Sequence, residues 1–280
     1  MAAHDDVRAY YDSFGASEWS RLDRPHDGIL EFALTVRTLS AHLPSDSRIL
    51  DIGGGPGRYT LWLAERGYRV VLGDLSPQLI AIARQKIAAS SAAHRVEEIV
   101  VADACDLSRW QDASFDAVLA LGPFYHLIQP DDRQRAAREL VRVLRPGGIA
   151  FIALMPRYMF VRRTLALAEE QHHLASPAFV ARLLTEGVFV NDRPGKLTEG
   201  YGVRPEEVAP FFAGHGLAMR TLLATESIVP DLQAEVAALA TTDHAAYDAT
   251  LGILTGAASD PSILGMANHL LFVGEKRGKD

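Results

Sequence analysis

The sequence predicts an α/β fold in which a doubly wound, mostly parallel sheet is covered by helices on both faces. Short apolar runs of strand length alternate with amphipathic helical patterns from residue 28 onward. A glycine-rich loop at residues 53–57 joins the first run to the next helix, and two later runs each end at an aspartate. Strands and helices that alternate in this way are typical of a parallel sheet between two layers of helices.

The elements of the first half follow from periodicity and from capping residues. Apolar residues recur at helical spacing from Ile29 to Leu43, and Pro44 ends this helix. Ser76 and Pro77 provide the N-cap and the first-turn proline of a later helix. The predicted strands are 49–52, 69–73, 99–102, 115–121 and 149–155, and the helices between them are 59–66, 77–87 and 131–144.

The pattern changes after residue 156. Residues 157–200 show helical stretches and a segment rich in Asn, Asp, Pro and Gly at 191–195, with no strand pattern. A helix at 203–215, a strand at 218–223, a helical insertion at 232–255 and a last strand at 269–274 follow. We therefore predict a single domain over 1–280, composed of an N-terminal lid segment (1–27), a ligand-binding core (28–156), a lid or substrate insertion (157–215) and sheet-completing strands with a helical insertion (216–280).

Composition excludes several classes of protein. The 280 residues carry a net charge of −7, whereas a nucleic-acid partner normally needs a basic face. No apolar stretch reaches the length of a membrane span, and the first residues lack the apolar region of a signal peptide. The single cysteine, Cys105, fits a reducing compartment. We expect a cytoplasmic protein without a nucleic-acid or membrane partner. Its oligomeric state is not determined by the sequence, and a homodimer is one option.

The strand, glycine loop and helix at 49–66 are typical of a site where backbone approaches a nucleotide-like ligand. Asp51, two positions ahead of Gly53, indicates whether the ligand is a dinucleotide or a cationic molecule. In a dinucleotide site the helix N-terminus faces a diphosphate, which here would lie near an unneutralised carboxylate. A ligand with an amino group and a sulfonium suits Asp51 better. A NAD-dependent oxidoreductase is the alternative enzyme, although the chain has no evident Tyr-x-x-x-Lys pair, and a non-catalytic binding module is a third option.

Two further acids follow the next predicted strands. Asp74 ends the second strand and Asp103 the third, and ligands of doubly wound sheets bind over these strand ends. Asp74 could accept hydrogen bonds from both ribose hydroxyls, and Asp103 from an exocyclic amino group of adenine. Taken alone, each acid could equally cap a helix or lie in a loop. Because all three acids follow successive strands of one sheet, we interpret them as one ligand site.

Five motifs in this region resemble those of class I S-adenosylmethionine-dependent methyltransferases, with the closest similarity to the small-molecule branch related to ubiquinone and menaquinone methyltransferases. The similarity is strong over about residues 45–155 and weak at the strands near 218 and 269. It implies a Rossmann-like methyltransferase fold with a seven-stranded sheet, an antiparallel last strand and a helical lid. The motifs are Asp51-x-Gly53-x-Gly55-x-Gly57, Gly73-Asp74-Leu75-Ser76, Ala102-Asp103-Ala104, Phe115-Asp116-x-Val118 and Leu144-Arg145-Pro146-Gly147-Gly148.

The resemblance also implies S-adenosyl-L-methionine as cofactor and roles for individual residues. Gly53 and Gly55 would pass under its methionine part, and Asp51 would face its amino group. Asp74 would bind the ribose, and Leu75 would pack on the adenine. An N-terminal segment often folds over the cofactor in this family. The predicted cofactor-binding residues are Tyr11, Asp51, Gly53, Gly54, Gly55, Gly57, Asp74, Leu75, Asp103, Ala104 and Leu121.

The acceptor side is less determined. Methyl transfer depends on holding the nucleophile in near-attack geometry, and a base helps only if the nucleophile has a proton to lose. His126 is the candidate catalytic base, although a histidine with purely structural hydrogen bonds is equally compatible with the sequence. We predict no metal site, because the neighbouring side chains of His172 and His173 would point about 100° apart on a helix. The predicted substrate-binding residues are Trp19, Phe124, Tyr125 and His172.

The predicted activity is methyl transfer to an O, N or C nucleophile of a small organic metabolite, in specialised metabolism. Leu121, at the end of the fourth strand, lacks the side-chain acceptor that enzymes methylating exocyclic amines of nucleic acids carry there. The sequence therefore identifies a cofactor and leaves the acceptor open.

Overall fold

The computed structural model describes residues 2–25, 28–191 and 199–278. Within these residues the chain forms nine strands. They are β1 (Arg48–Ile52), β2 (Arg69–Asp74), β3 (Val96–Val101), β4 (Phe115–Ala120), β5 (Leu144–Pro156), β6 (Val188–Val190), β7 (Glu199–Val203), β8 (Leu217–Ala224) and β9 (Leu270–Lys276).

Seven of these strands form the central sheet, in the order β3-β2-β1-β4-β5-β9-β8. Strands β3, β2, β1, β4 and β5 pair in parallel. Strand β9 runs antiparallel to both of its neighbours, β5 and β8. The predicted doubly wound sheet, with seven strands and an antiparallel last strand, is confirmed.

The α-helices of the described residues enclose this sheet. They are α1 (Ala2–Phe14), α2 (Ala16–Trp19), α3 (Ile29–His42), α4 (Arg58–Glu65), α5 (Pro77–Ala88), α6 (Pro130–Val143), α7 (Arg157–Ala166), α8 (Pro177–Ala181), α9 (Pro205–Gly214), α10 (Gln233–Thr242), α11 (His244–Ala257) and α12 (Pro261–Leu264). In the part of the chain that the structure describes, no helix is long and apolar enough to cross a membrane.

Strand β1 shows why both faces of the sheet are buried. Its side chains alternate between the faces, and Ile49, Leu50 and Ile52 are all at most 1% exposed. Ile49 packs in a cluster with residues of α3, α4, α10 and α11, whereas Leu50 packs in a second cluster with residues of α6 and α9. A continuous apolar run is therefore required here, and it places the residues that follow β1 between the two helical layers.

One expectation about the second half is wrong. Residues 157–200 contain a strand, β6, which forms a hairpin with β7, and β7 continues the edge of β5 through Met155 and Pro156. Strand β6 is only three residues long and β7 contains two glycines, so neither shows a strand pattern. The predicted helical insertion consists of α10 and α11, which are separated at Asp243, and the Asp243 side chain caps α11. The segment rich in Asn, Asp, Pro and Gly at 191–195 lies, apart from Asn191, outside the described residues.

Candidate active site

A cavity opens over the carboxyl ends of the central strands, with an empty volume of about 1010 Å³ that includes space open to solvent. Its strand-end wall consists of lining residues between 51 and 104, which lie at or beyond the carboxyl ends of β1, β2 and β3. Its lid wall consists of lining residues between 7 and 22 and between 121 and 127. The predicted site residues that line the cavity are Tyr11, Asp51, Gly53, Gly54, Gly55, Asp74, Leu75, Asp103, Ala104, Leu121, Tyr125 and His126.

Four predicted residues do not line this cavity. Gly57 is the N-cap of α4, in the left-handed conformation with φ 89°. Trp19 packs against the cationic groups of Arg58 and Lys86.

Phe124 and His172, like Trp19, were predicted to bind the substrate. Phe124 is 1% exposed and packs edge-on against Phe212 of α9, because the turn after β4 directs it into the core. His172 is an exposed residue whose Nδ1 lies 3.0 Å from the carbonyl of Glu169. Phe124 and His172, which were predicted to bind the substrate, therefore lie outside this cavity.

Asp51 lies in β1 with none of its surface exposed. Its Oδ2 accepts a hydrogen bond from the Thr60 hydroxyl at 2.6 Å. Its Oδ1 has no hydrogen-bond partner within residues 2–25, 28–191 and 199–278. Burial raises the pKa of Asp51 to about 6, against the opposing effect of Thr60. Because a buried acceptor without a partner is costly, Oδ1 is a position where a donor on a ligand would be stabilised.

Asp74 ties the glycine loop to the neighbouring strand. Its Oδ2 accepts a hydrogen bond from the Gly55 amide and its Oδ1 from the Ser76 amide, each at 2.8 Å. Burial raises the pKa of Asp74 to about 6, although both amides oppose this effect.

The glycine loop approaches Asp51 so closely that a Cβ on Gly54 would lie 2.6 Å from Asp51 Oδ2. Glycine is therefore needed here for space.

Asp103 follows β3 on the same wall. Its Oδ1 accepts a hydrogen bond from the backbone amide of Cys105 at 2.8 Å. Burial, together with the charge of Asp103, raises the pKa of the Cys105 thiol to about 12. The thiol therefore stays protonated at neutral pH, which removes the form that acts as a nucleophile.

His126 ends the short 3₁₀ segment Pro123–His126 that follows β4, and it is 7% exposed. Its Nε2 lies 2.7 Å from the hydroxyl of Tyr11, which comes from α1. Its Nδ1 has no hydrogen-bond partner in the described part of the chain. Burial lowers the pKa of His126 to about 4, so the imidazole is neutral at neutral pH and has one nitrogen lone pair that can accept a proton.

The lid wall also contains a charged cluster that the sequence did not predict. Arg21 donates from Nε to Glu18 and from Nη1 to Glu31, each at 2.7 Å. Burial opposes ionisation of Glu31, but Arg21 and His269 together lower its pKa. Burial likewise opposes the charge on His269, but Glu31 and Glu226 raise its pKa. The cluster joins the N-terminal segment to α3 and to the residue that precedes β9.

The sheet order and the acid-lined cavity at the strand ends define the fold of a class I methyltransferase. A family model described as a methyltransferase domain matches residues 50–152. A ubiquinone biosynthesis O-methyltransferase from Xanthomonas oryzae pv. oryzae is 32% identical over 61% of this chain and 67% of its own length. The chain therefore belongs to the S-adenosylmethionine-dependent methyltransferases, which use S-adenosyl-L-methionine as cofactor. The predicted family, enzyme class and cofactor are confirmed.

Two further comparisons extend this finding. A tRNA 5-carboxymethoxyuridine methyltransferase from Escherichia coli is 34% identical over 40% of this chain, and the match spans 42% of that relative. A 1,6-didemethyltoxoflavin-N1-methyltransferase structure from Burkholderia thailandensis, with bound 1,6-didemethyltoxoflavin and S-adenosylhomocysteine, superposes with a TM-score of 0.57. It covers 98% of this chain and 88% of its own, at 16% identity. At that identity the likeness supports the fold alone.

Proposed function

We propose that this enzyme transfers a methyl group from S-adenosylmethionine to a small organic metabolite, at an O, N or C nucleophile. The observation that carries the proposal is the shared cavity. Its strand-end wall holds a buried carboxylate oxygen that has no hydrogen-bond partner among the described residues, and its lid wall holds a neutral histidine. A cofactor and a small acceptor can therefore meet in one cavity, which is what methyl transfer requires.

The strand-end wall suits the cofactor. Asp51 Oδ1 would accept a hydrogen bond from the ammonium of the methionine part, while Gly53, Gly54 and Gly55 leave room for it. Asp74 would accept hydrogen bonds from the ribose hydroxyls through the remaining lone pairs of its carboxylate. The adenine would lie beside the neighbouring residues Leu75, Asp103 and Ala104, with the Leu121 backbone and Tyr11 completing the site. When bound, the cofactor supplies an electrophilic methyl group on a sulfonium sulfur.

His126 would act on the acceptor. Its neutral imidazole can accept the proton that an O–H or N–H nucleophile loses as it is methylated. Tyr125, whose ring centroid lies 4.8 Å from that of His126, would line the acceptor subsite. Burial of Tyr125 raises the pKa of its phenol, which keeps its hydroxyl protonated as a hydrogen-bond donor.

A small acceptor suits this cavity better than a nucleic acid. The net charge of −7 and the acids of the strand-end wall would repel a polyphosphate backbone. The relatives named above include an O-methyltransferase of ubiquinone biosynthesis beside the tRNA enzyme. We propose a specialised metabolite as acceptor, without a nucleic-acid partner.

We further propose that residues 1–280 act as one domain, in which segments 1–27 and 157–215 close over the core. The single cysteine supports a cytoplasmic location. A homodimer is the oligomer we would test first, by light scattering of the purified protein.

Isothermal titration calorimetry tests the proposal directly. S-adenosylhomocysteine should bind with one site per chain, and NAD should not bind under the same conditions. A panel of phenols, amines and activated methylene compounds, assayed for S-adenosylhomocysteine formation, should then give turnover with at least one member. Binding of NAD alone would overturn the proposal, and turnover with a tRNA but with no small acceptor would overturn the substrate class.

A further inference from the structure

A second cavity lies between α9, β7, the end of β5 and the turn after β4. Its empty volume is about 510 Å³, which includes space open to solvent. The described residues that line it are all different from those that line the cavity at the strand ends. Its apolar lining residues are Phe124, Leu154, Val203, Val208, Phe211 and Phe212. The second cavity is therefore a separate space with walls suited to an apolar ligand.

Arg133, near the start of α6, supplies a basic group to this lining. Its Nη1 donates to the backbone carbonyls of Leu127 and Ile128, at 2.7 and 2.9 Å. Its guanidinium carbon lies 3.5 Å from the centroid of the Tyr201 ring. Its Nε and Nη2 have no hydrogen-bond partner in the described part of the chain. One edge of the guanidinium is thus bound by the protein, whereas the edge formed by Nε and Nη2 is not.

The unbound edge of Arg133 is suited to a carboxylate. The N–H groups of Nε and Nη2 lie in one plane and match the two oxygens of a carboxylate in a bidentate pair. The two carbonyls and the Tyr201 ring already hold the guanidinium in place. A ligand would therefore meet a preorganised group, which reduces the entropy lost on binding.

The charge of Arg133 is not neutralised by an ion pair with a carboxylate of the described residues. Burial lowers the pKa of Arg133, although Tyr201, Asp132 and Glu207 oppose this effect, and the guanidinium stays charged at neutral pH. Glu207 also lines the cavity, but both of its carboxylate oxygens accept from Arg157 Nη2, at 3.2 and 2.9 Å. Because a partly buried charge without a counter-ion is costly, an anion beside Arg133 would be stabilised.

We propose that the second cavity binds a small apolar carboxylate, whose oxygens pair with Nε and Nη2 of Arg133 while its apolar part packs against Phe211 and Phe212. This site is distinct from the site of methyl transfer. Phe124 lines it and belongs to the same 3₁₀ segment as His126, which lines the cavity at the strand ends. The two sites are therefore neighbours that share one short segment and no lining residue.

Calorimetry with naphthoate tests the proposal, and the naphthamide of the same ring position is the neutral control ligand. Naphthoate should bind wild type at one site, and the amide at least about tenfold more weakly, because it has no charge to pair with Arg133. Saturation with S-adenosylhomocysteine should leave the naphthoate affinity unchanged. Equal affinity for the two ligands, displacement of naphthoate by S-adenosylhomocysteine, or no binding at about 1 mM naphthoate would each overturn the proposal.

A variant of the arginine locates the bound ligand. Arg133→Gln should lower the naphthoate affinity at least about tenfold and abolish the preference for naphthoate over the amide. Binding of S-adenosylhomocysteine should persist, which shows that the variant is folded. Arg135→Gln is the matched control, since Arg135 lies on the same helix with its side chain 56% exposed, and it should bind naphthoate as wild type does. Wild-type naphthoate affinity in Arg133→Gln would reject the site.

A second variant leaves the arginine intact. Arg133 also holds the turn at Leu127 and Ile128, so its replacement could disturb folding. Val208→Phe retains Arg133 and places a larger side chain in the cavity, so naphthoate and the amide should both bind at least about tenfold more weakly. Wild-type affinity for naphthoate in this variant would show that the ligand binds elsewhere, and the proposal would fail whatever the outcome with Arg133→Gln.

Discussion

The two walls of the cavity are built in different ways. The strand-end wall takes its residues from one continuous stretch, 51–104, in which each acid lies at the end of a strand. The lid wall joins segments that are far apart, and its Tyr11–His126 hydrogen bond connects residues separated by 115 positions. Parallel strands bring their ends together through chain direction alone, whereas the lid wall requires separate segments to pack. A local motif therefore describes one wall and cannot describe the other.

The two walls also differ in how their charged groups are paired. On the strand-end wall, burial raises the pKa of Asp51 and of Asp74 to about 6, and Asp51 Oδ1 has no partner in the described residues. On the lid wall, Arg21 is held by Glu18 and Glu31, so its charge is neutralised within the protein. A cationic ligand group could therefore pair with Asp51 on the strand-end wall, whereas the charged groups named on the lid wall already pair with each other.

The largest expected effect concerns Phe124, which the sequence predicted to bind the substrate and which packs in the core of the structure. Phe124→Ala should lower the free energy of unfolding by about 3–5 kcal/mol, because it leaves a cavity against Phe212. Urea denaturation measures this loss. Tyr158→Ala, at an aromatic residue that is 47% exposed, is the control and should stay within about 0.5 kcal/mol of wild type. If Phe124→Ala were as stable as wild type and bound the acceptor more weakly, Phe124 would be a substrate-binding residue and not a core residue.

The next effect tests the strand-end wall. Asp51→Asn keeps the shape of the side chain but removes its charge, so S-adenosylhomocysteine should bind about 100-fold more weakly, or about 2.7 kcal/mol. Calorimetry gives the affinity. Asp116→Asn is the matched control, because Asp116 accepts a hydrogen bond from the backbone amide of Arg48 at the opposite end of the strands. Equal affinity for wild type and Asp51→Asn would remove Asp51 from the cofactor site.

The next smaller effect is the pH dependence of S-adenosylhomocysteine binding, which should follow the titration of Asp51 on the strand-end wall and not that of His126 on the lid wall. Asp51 has a pKa of about 6 in the free protein, and only its ionised form pairs with an ammonium. Protonation below pH 6 therefore weakens binding, and the affinity for S-adenosylhomocysteine should rise about tenfold between pH 5 and pH 7. His126, with a pKa of about 4, stays neutral over this range. Asp51→Asn should lose this contribution to the pH profile, and a profile identical to that of wild type would assign the titration to another group.

The smallest effect is expected at His172. Its side chain is exposed and lies outside the cavity, so His172→Ala should change both the S-adenosylhomocysteine affinity and turnover by less than twofold. Calorimetry and a methyl-transfer assay measure the two quantities. A larger loss of turnover alone would mean that the insertion after β5 closes over the acceptor during the reaction.

The second half of the fold shows the limits of local pattern. The strands of the core were predicted because each is a buried apolar run bounded by turn residues. Strand β6 has only three residues and β7 is stabilised by pairing with the end of β5, so neither has a signal of its own. Trp19 was assigned to the substrate from its aromatic character, yet it packs against Arg58 and Lys86. Composition shows which residues are suited to a pocket, but packing decides which of them reach it.

The sequence by itself determined the sheet, the glycine loop and the three acids at the strand ends, and through them the family and the cofactor. These features depend on residues close together in the chain, where spacing and burial follow from strand and helix geometry. The tertiary structure alone decided that Arg21 meets Glu31 and that Tyr11 meets His126. Those contacts arise when the N-terminal segment packs over β4 and α3, and no local pattern encodes the distance between residues on separate elements.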